Sequence, residues 1–401
     1  MIDFQLTDEQ RMFQDTARRF AREVMLPVAE SADRRVGGAG DGHVSRDAYL
    51  RLFADAARTG MHAMLIDTEF GGAGRSNLEN AIVQEELGAV DVGLASSLNL
   101  TMTVPTMIAA GAAPAQRRTW MEEIVGSDQH VLAGALNEPG VAGSELFCPS
   151  PDPAIGIRTR AVRVGDNYVI NGTKAGWVSN GGIATAYVVF ARTGSDGPAL
   201  TTTSAFYVRA NSPGLRTGPR TELLGMRTAW HAELFFDDVT VPASSMLGLE
   251  DHGLQLMGSS SAGMAVGLAA GFVGLARTAF ELALEYSGQR LSWGVPIRQH
   301  QAVALQLADA LVELQTARLL VWDAAVAVDS SSSEAAWKVA AAKTHAVDVA
   351  IANAERAVKI HGATGVAAGA GPEKLLRDAW TGYSCDFTKE VLRLGIISAF
   401  G

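Results

Sequence analysis

Apolar side chains recur at three- and four-residue steps from the start of the chain, at Phe13, Ala17, Phe20, Ala21 and Val24. That is the period of one buried helix face, and Thr7 with Gln10 has the spacing of a capping box at its start. Helical patterns continue through "SNLENAIVQEELGAV" (76–90) and "AQRRTWMEEIVG" (115–126). Near residue 131 the character changes. "NYVINGTKAGWVSN", "AYVVFAR", "SAFYVRA" and "AELFFDDVTVP" are short, rich in β-branched and aromatic residues, and separated by turn residues. They read as antiparallel strands, and Asn171-Gly172 predicts a two-residue hairpin turn. From about residue 250 long Ala/Leu-rich helical patterns return, with "DSSSSE" (329–334) as the joint between two of them. The order predicts an α+β protein: an N-terminal helical domain over 1–130, a β domain over 131–245 and a C-terminal helical bundle over 246–401. Small residues run almost all round the late helices, as in a bundle buried on several sides, often against another subunit.

Composition narrows the function classes. The 401 residues exceed one compact core, and 48% are hydrophobic, enough for a large interior. A net charge of -10 is a poor match to a nucleic-acid backbone. The two cysteines, Cys148 and Cys385, lie far apart, so a disulfide framework is not expected and a reducing compartment is. The N-terminus lacks the basic-then-apolar order of a signal peptide. The apolar stretch 262–276 is Gly- and Ala-rich and short for a membrane span. A soluble cytoplasmic protein is the expectation.

No P-loop, HExxH or GxSxG occurs, and the eight histidines show no metal-ligand spacing, so no metal is expected. "GGAG" (71–74) and "GAGPEK" (369–374) do not follow a strand in a βαβ unit, which disfavours a Rossmann site. The candidate chemistry lies in "YSCDFTKEVLRLG" (383–395), where Asp386 stands just before a helical pattern. From the residues alone Asp386 is either the N-cap of that helix or a proton-transfer group.

Several segments together add more: "LTDEQRMFQDTARRFAREVMLPVA", "FGGAGRSNLENAIVQEELGAVD", "LNEPGVAGSE", "YVINGTKAGWVSNGG", "GLRTGPRTELLGMRTAWHAELFFDDVTVP", "QRLSWGVPIRQHQAVALQLAD" and "HGATGV". In this order and over nearly the whole chain, they resemble the acyl-CoA dehydrogenase flavoprotein family. The resemblance implies a helical domain, a central antiparallel β-barrel-like domain and a C-terminal four-helix bundle. It also implies FAD between the β domain and the bundle. Leu136 and Asn137 would face the flavin, with Ser144 and the segment Trp177 to Asn180, including Ser179, completing its wall. Arg290 and Gln301 match positions that reach the FAD of a neighbouring subunit, where a guanidinium suits phosphate. That implies at least a dimer, and a homotetramer by family habit. Lys359 and Gly362 match a segment near the flavin, and Thr388 would also sit near it. An acyl-CoA or acyl-carrier-protein thioester would be the substrate, and an electron-transfer flavoprotein is a candidate acceptor.

Aligning back from Arg393 puts Asp386 where most members carry the catalytic Glu, and Phe387 where they carry Gly. Asp386 would then remove the α-proton of the thioester. Met264 stands at the other position used for a base in the family, and Ala262 and Ala265 replace an Asp and an Arg that aid substrate binding. Ala95 replaces the Arg used for dicarboxylate tails, and Lys359 and Ala363 replace a Gln and a Gly near the flavin, Lys359 reading as a solvated helix-end charge. Two alternatives stay open. One is a nitroalkane-oxidase-like flavin oxidase, whose relatives use Asp as base; the other is a non-catalytic flavin-binding paralogue.

Overall fold

The computed structural model describes residues 5–33 and 44–400. The first part is helical: α1 (Asp8–Phe20), α2 (Leu26–Asp33), α3 (Arg46–Arg58), α4 (Asn77–Val90), α5 (Val92–Gly111) and α6 (Pro114–Val125). The capping box forms as the spacing predicts. The Thr7 hydroxyl accepts from the Gln10 N–H at 3.2 Å, and the Gln10 side chain accepts from the Thr7 N–H at 3.0 Å.

The middle block holds β1 (Leu132–Ala135), β2 (Arg160–Val164), β3 (Asn167–Ser179), β4 (Ala186–Arg192), β5 (Thr203–Arg209), β6 (Leu215–Arg220), β7 (His231–Pro242) and β8 (Met246–Leu247). The strands form one sheet ordered β6-β7-β3-β2-β4-β5-β8, with β1 added against β4. Most pairings are antiparallel, but β1 and β2 each meet β4 in parallel. The expected turn at Asn171-Gly172 is not there. Both residues lie inside β3, at a register shift against β7, and the hairpin turn sits between β2 and β3 at Gly165-Asp166. Asn171 binds Asp238 on β7 through its side chain (2.9 and 2.8 Å). Gly172 has φ 145, and a Cβ there would come within 2.7 Å of Thr159. A glycine inside a strand marks a bulge as readily as a turn.

The last part holds α7 (Gly253–Ser260), α8 (Ala262–Gln289), the short hairpin β9 (Leu291–Ser292) and β10 (Val295–Pro296), α9 (Gln301–Asp329), α10 (Ala335–His361), α11 (Pro372–Thr381) and α12 (Lys389–Ser398). "DSSSSE" is the α9–α10 joint. The long helices α8, α9 and α10 pack together, and the shorter α11 and α12 both pack on α10. α8 extends well beyond the apolar stretch 262–276, and both α5 and α8 are long and apolar enough to cross a membrane. Their most apolar windows are 78% and 67% buried inside the protein, which makes them core helices here.

Contacts between the blocks fix the site. α4 lies so close on α8 that a Cβ on Gly88 would collide with the Gly271 backbone. Beside that crossing, Glu86 accepts from Arg18 and Arg277, and Glu85 from Arg318. Asp91, on the α4–α5 link, takes the Thr228 hydroxyl at 2.5 Å and the Lys374 ammonium at 2.8 Å. Lys374 also binds Asp378, which accepts the Met226 N–H. All three blocks thus meet around one buried ionic cluster.

Candidate active site

Two stretches of the β domain face each other across an open cleft of about 550 Å³. Residues 138–142 with Glu145 form one side, and residues 175–177 with Glu233 the other. Their spacing is set by a buried ion pair. Lys174 donates to Glu138 at 2.6 Å and to the Leu136 carbonyl at 3.1 Å. Glu138 also accepts the backbone N–H groups of Arg158 (2.6 Å) and Thr159 (3.0 Å). The Ala175 N–H donates to the Asn137 carbonyl at 2.9 Å. Burial alone would raise the Glu138 carboxyl, but the Lys174 ammonium and the backbone donors outweigh it and hold it below the usual carboxylate range. Sequence reading passed over both residues of this pair.

Leu136 and Asn137 lead into the cleft, Ser144 sits in the short 3-10 turn Gly143–Phe147, and Trp177 is 58% exposed. An uncovered indole, an open-sided slot and exposed polar groups at Asn137 and Ser144 fit a flat tricyclic ring such as the isoalloxazine of FAD. Ser179 ends β3, and its hydroxyl lies 3.0 Å from Nε2 of His231 on β7. Desolvation lowers the His231 pKa to about 4, so the ring is neutral at pH 7.

Asp386 approaches from the bundle. Thr388, not Asp386, stands at the N-cap position of the helix that follows, without a side-chain cap bond, so the N-cap reading of Asp386 is set aside. Asp386 (φ 45) and Phe387 (φ 74) are both left-handed, at a cost of about 1–2 kcal/mol for each non-glycine residue. Tertiary contacts hold them there. The Phe387 ring packs on Phe147 with centroids 5.6 Å apart and leaves 3.0 Å for a Cβ on Gly143. From α10, the buried Lys343 ammonium donates to the carbonyls of Cys385, Asp386 (3.3 Å) and Phe387 (2.9 Å). The segment 385–388 is therefore strung between the bundle and the β-domain turn that carries Ser144. Among the described residues nothing hydrogen-bonds the Asp386 carboxylate. Desolvation raises its pKa, and Lys343 opposes the rise in part. Asp386 keeps open surface, so a ligand covering that opening would complete the desolvation. Cys385 is pushed up to about 12 by burial and stays a thiol.

The remaining predicted residues gather elsewhere, at one end of the bundle. Arg290 caps the C-terminus of α8, one turn beyond Tyr286, whose ring stacks on His361 at 4.1 Å. Gly362 follows as the C-cap of α10 with φ 60, Lys359 is exposed and paired with Glu355, and Gln301 opens α9. At the substrate-side positions, Asn99 donates to the Met264 carbonyl at 2.8 Å, while Ala262 and Ala265 pack against the bundle core.

The fold and this cleft define a flavin-dependent oxidoreductase, and comparison with known proteins gives the family. Models of the acyl-CoA dehydrogenase N-terminal, middle and C-terminal domains match residues 7–128, 134–239 and 251–400. The human mitochondrial short-chain specific acyl-CoA dehydrogenase is 31% identical over 98% of this chain and 90% of its own. Cyclohex-1-ene-1-carbonyl-CoA dehydrogenase of Geobacter metallireducens is 32% identical over 93% of each chain. The structure of butyryl-CoA dehydrogenase from Megasphaera elsdenii superposes with a TM-score of 0.89 at 28% identity, covering all of both chains. The chain belongs to the acyl-CoA dehydrogenase family, and its cofactor is FAD.

Proposed function

We propose that this protein introduces a 2,3-double bond into an acyl-CoA thioester, with Asp386 as the base that removes the α-proton. The observation that carries the reading is a carboxylate with no hydrogen-bond partner among the protein's described residues, on a segment held between the bundle and the cleft wall. Bound FAD supplies the hydride acceptor. Leu136, Asn137, Ser144, Trp177, Ser179 and Thr388 hold its ring system, and Asp386 works from the bundle side. An aspartate stands one C–C bond, about 1.5 Å, further back than a glutamate. The left-handed backbone at residues 386 and 387 re-aims it, and Phe387 fills the space beside it.

A protonated Asp386 cannot accept a proton, and a neutral amide in its place removes the base, typically worth about 10²–10⁴-fold in rate. Arg290, Gln301, Lys359 and Gly362, exposed at the far end of the bundle, would complete the cofactor site of a neighbouring subunit. The exposed apolar residues Leu305, Leu311, Val312, Leu319, Leu320 and Val326 of α9 support burial of this bundle face in a homotetramer. An electron-transfer flavoprotein is the proposed acceptor.

The test is an anaerobic titration of the flavin-loaded protein with acyl-CoA thioesters, following loss of flavin absorbance. Rapid bleaching by one thioester, abolished by Asp386→Asn, supports the reading. Bleaching only by acyl-carrier-protein thioesters moves the substrate to a protein-borne acyl group. Inertness to every thioester, with oxygen consumption on nitroalkanes, replaces the reading with the oxidase.

A further inference from the structure

One buried cation serves three consecutive carbonyls beside the proposed base. Lys343 is 3% exposed, and among the described residues its ammonium meets no carboxylate side chain at hydrogen-bonding distance. An ammonium has three donors, and the carbonyls of Cys385, Asp386 and Phe387 take them. None of these peptide bonds is cis. In a trans peptide the N–H points away from the preceding C=O, so drawing the Cys385 and Phe387 carbonyls toward α10 turns the N–H groups of Asp386 and Thr388 to the opposite side. Among the described residues the Asp386 and Thr388 amides make no hydrogen bond to the protein, while the tight turn at 385–386 points the Phe387 N–H back toward the preceding residues. Unpaired amide donors beside an unpaired carboxylate are what an enolising thioester needs: donors for the oxygen that gains charge and a base for the proton that leaves.

We infer that Lys343 is the positioning residue of this site, an ammonium that holds Asp386 and Phe387 in their left-handed path and so aims the backbone N–H groups of Asp386 and Thr388 at the thioester oxygen. The inference rests on the reading of Asp386 as base. The Lys343 charge also lies behind the peptide units whose N–H ends face the substrate, which polarises them and strengthens them as donors. Lys343 touches neither substrate nor cofactor; it acts through the backbone it binds.

The experiment reads the donors without turnover. An enoyl-CoA labelled with ¹³C at the carbonyl, crotonyl-CoA first and then the enoyl product of whichever thioester bleaches the flavin, is bound to the FAD-loaded protein. The infrared carbonyl band is compared with that of the free ligand. The unmodified protein should shift the band to lower wavenumber. Lys343→Met should lose more than half of the shift and about 10²-fold in kcat, the usual effect of losing one oxyanion donor, with KM changed less than threefold. Lys343→Arg, which keeps a cation, should recover part of both. Asp386→Asn should keep the band shift while losing turnover.

A full band shift in folded Lys343→Met or Lys343→Gln overturns the inference. So does failure of all the Lys343 variants to fold and retain FAD, which would make the lysine a structural residue only. Undiminished turnover in Asp386→Asn instead removes the base, and the band shift still judges the lysine. If the unmodified protein shifts no thioester carbonyl, both readings fall.

Discussion

Replacing Lys174 with methionine tests whether the buried pair under the cleft sets its width. The side chains of Lys174 and Glu138 are 0% and 4% exposed and 2.6 Å apart. The substitution leaves a carboxylate in that space with only the N–H groups of Arg158 and Thr159 as donors. Breaking one side of a buried ion pair costs about 3–5 kcal/mol. The Leu136 carbonyl also loses its ammonium donor, about 1–3 kcal/mol if it stays unsatisfied. Lys174 takes part in the β3–β7 ladder through its backbone alone, which methionine keeps, so the loss should fall on residues 136–142. At about 1.4 kcal/mol per factor of ten, 3–5 kcal/mol expressed as local release would weaken FAD binding roughly 10²–10⁴-fold. Fluorescence titration of the apoprotein with FAD measures it, and thermal melting of the apoprotein shows how much appears as global stability. The double variant Lys174→Met/Glu138→Gln should regain most of the loss, because no uncompensated charge remains. A Lys174→Met protein with FAD affinity within threefold of the parent and an unchanged Tm would refute the reasoning.

Three further outcomes follow from the same geometry. kcat/KM should fall on the acid side with an apparent pKa above the ordinary aspartate value of about 3.9, because desolvation raises the Asp386 carboxyl; a pH–rate profile with no such limb counts against it. Folded His231 titrates near 4 and unfolded histidine near 6.5, so between these values the unfolded state binds more protons and stability should rise with pH. The full effect is at most about 3 kcal/mol, and His231→Gln should flatten that slope in urea unfolding followed from pH 4 to 7. Phe387→Ala, which removes the contact with Phe147 and the cover over Gly143, should cost about 1–3 kcal/mol and lower kcat more than it raises KM; equal effects on both would show that the ring binds substrate and does not brace Asp386.

The α, β, α order was legible because the hydrophobic period itself changes, from three and four to two and back. Local chemistry at helix ends was legible for the same reason of short range: Thr7 and Gln10 find each other three residues apart. Asn171-Gly172 shows where that stops. The dipeptide suits a turn and a bulge alike, and the choice is made by Asp238, 67 residues along the chain, which binds Asn171 across the sheet. The Gly165-Asp166 turn carried the weaker signal and makes the hairpin.

The site was legible in outline only, because its chemistry is assembled across blocks. Asp386 could be singled out as a carboxylate in front of a helix, yet its environment comes from Lys343, 43 residues upstream. In "AAAKTHAV" a lone lysine reads as a solvated charge on an alanine-rich helix, and sequence offers no reason to bury it. The reason lies in three carbonyls that turn toward α10 only because residues 386 and 387 are left-handed, a conformation that neither an aspartate nor a phenylalanine favours alone. Lys359 is the contrast: sixteen residues further along α10 and 65% exposed in its side chain, it pairs with Glu355 one turn back, as helix spacing alone would suggest. Two lysines on one helix thus have opposite fates. The difference is set by whether a backbone elsewhere in the chain has been bent to receive the charge, so Lys343 and the 385–387 segment each explain a conformation or a burial that the other could not sustain alone.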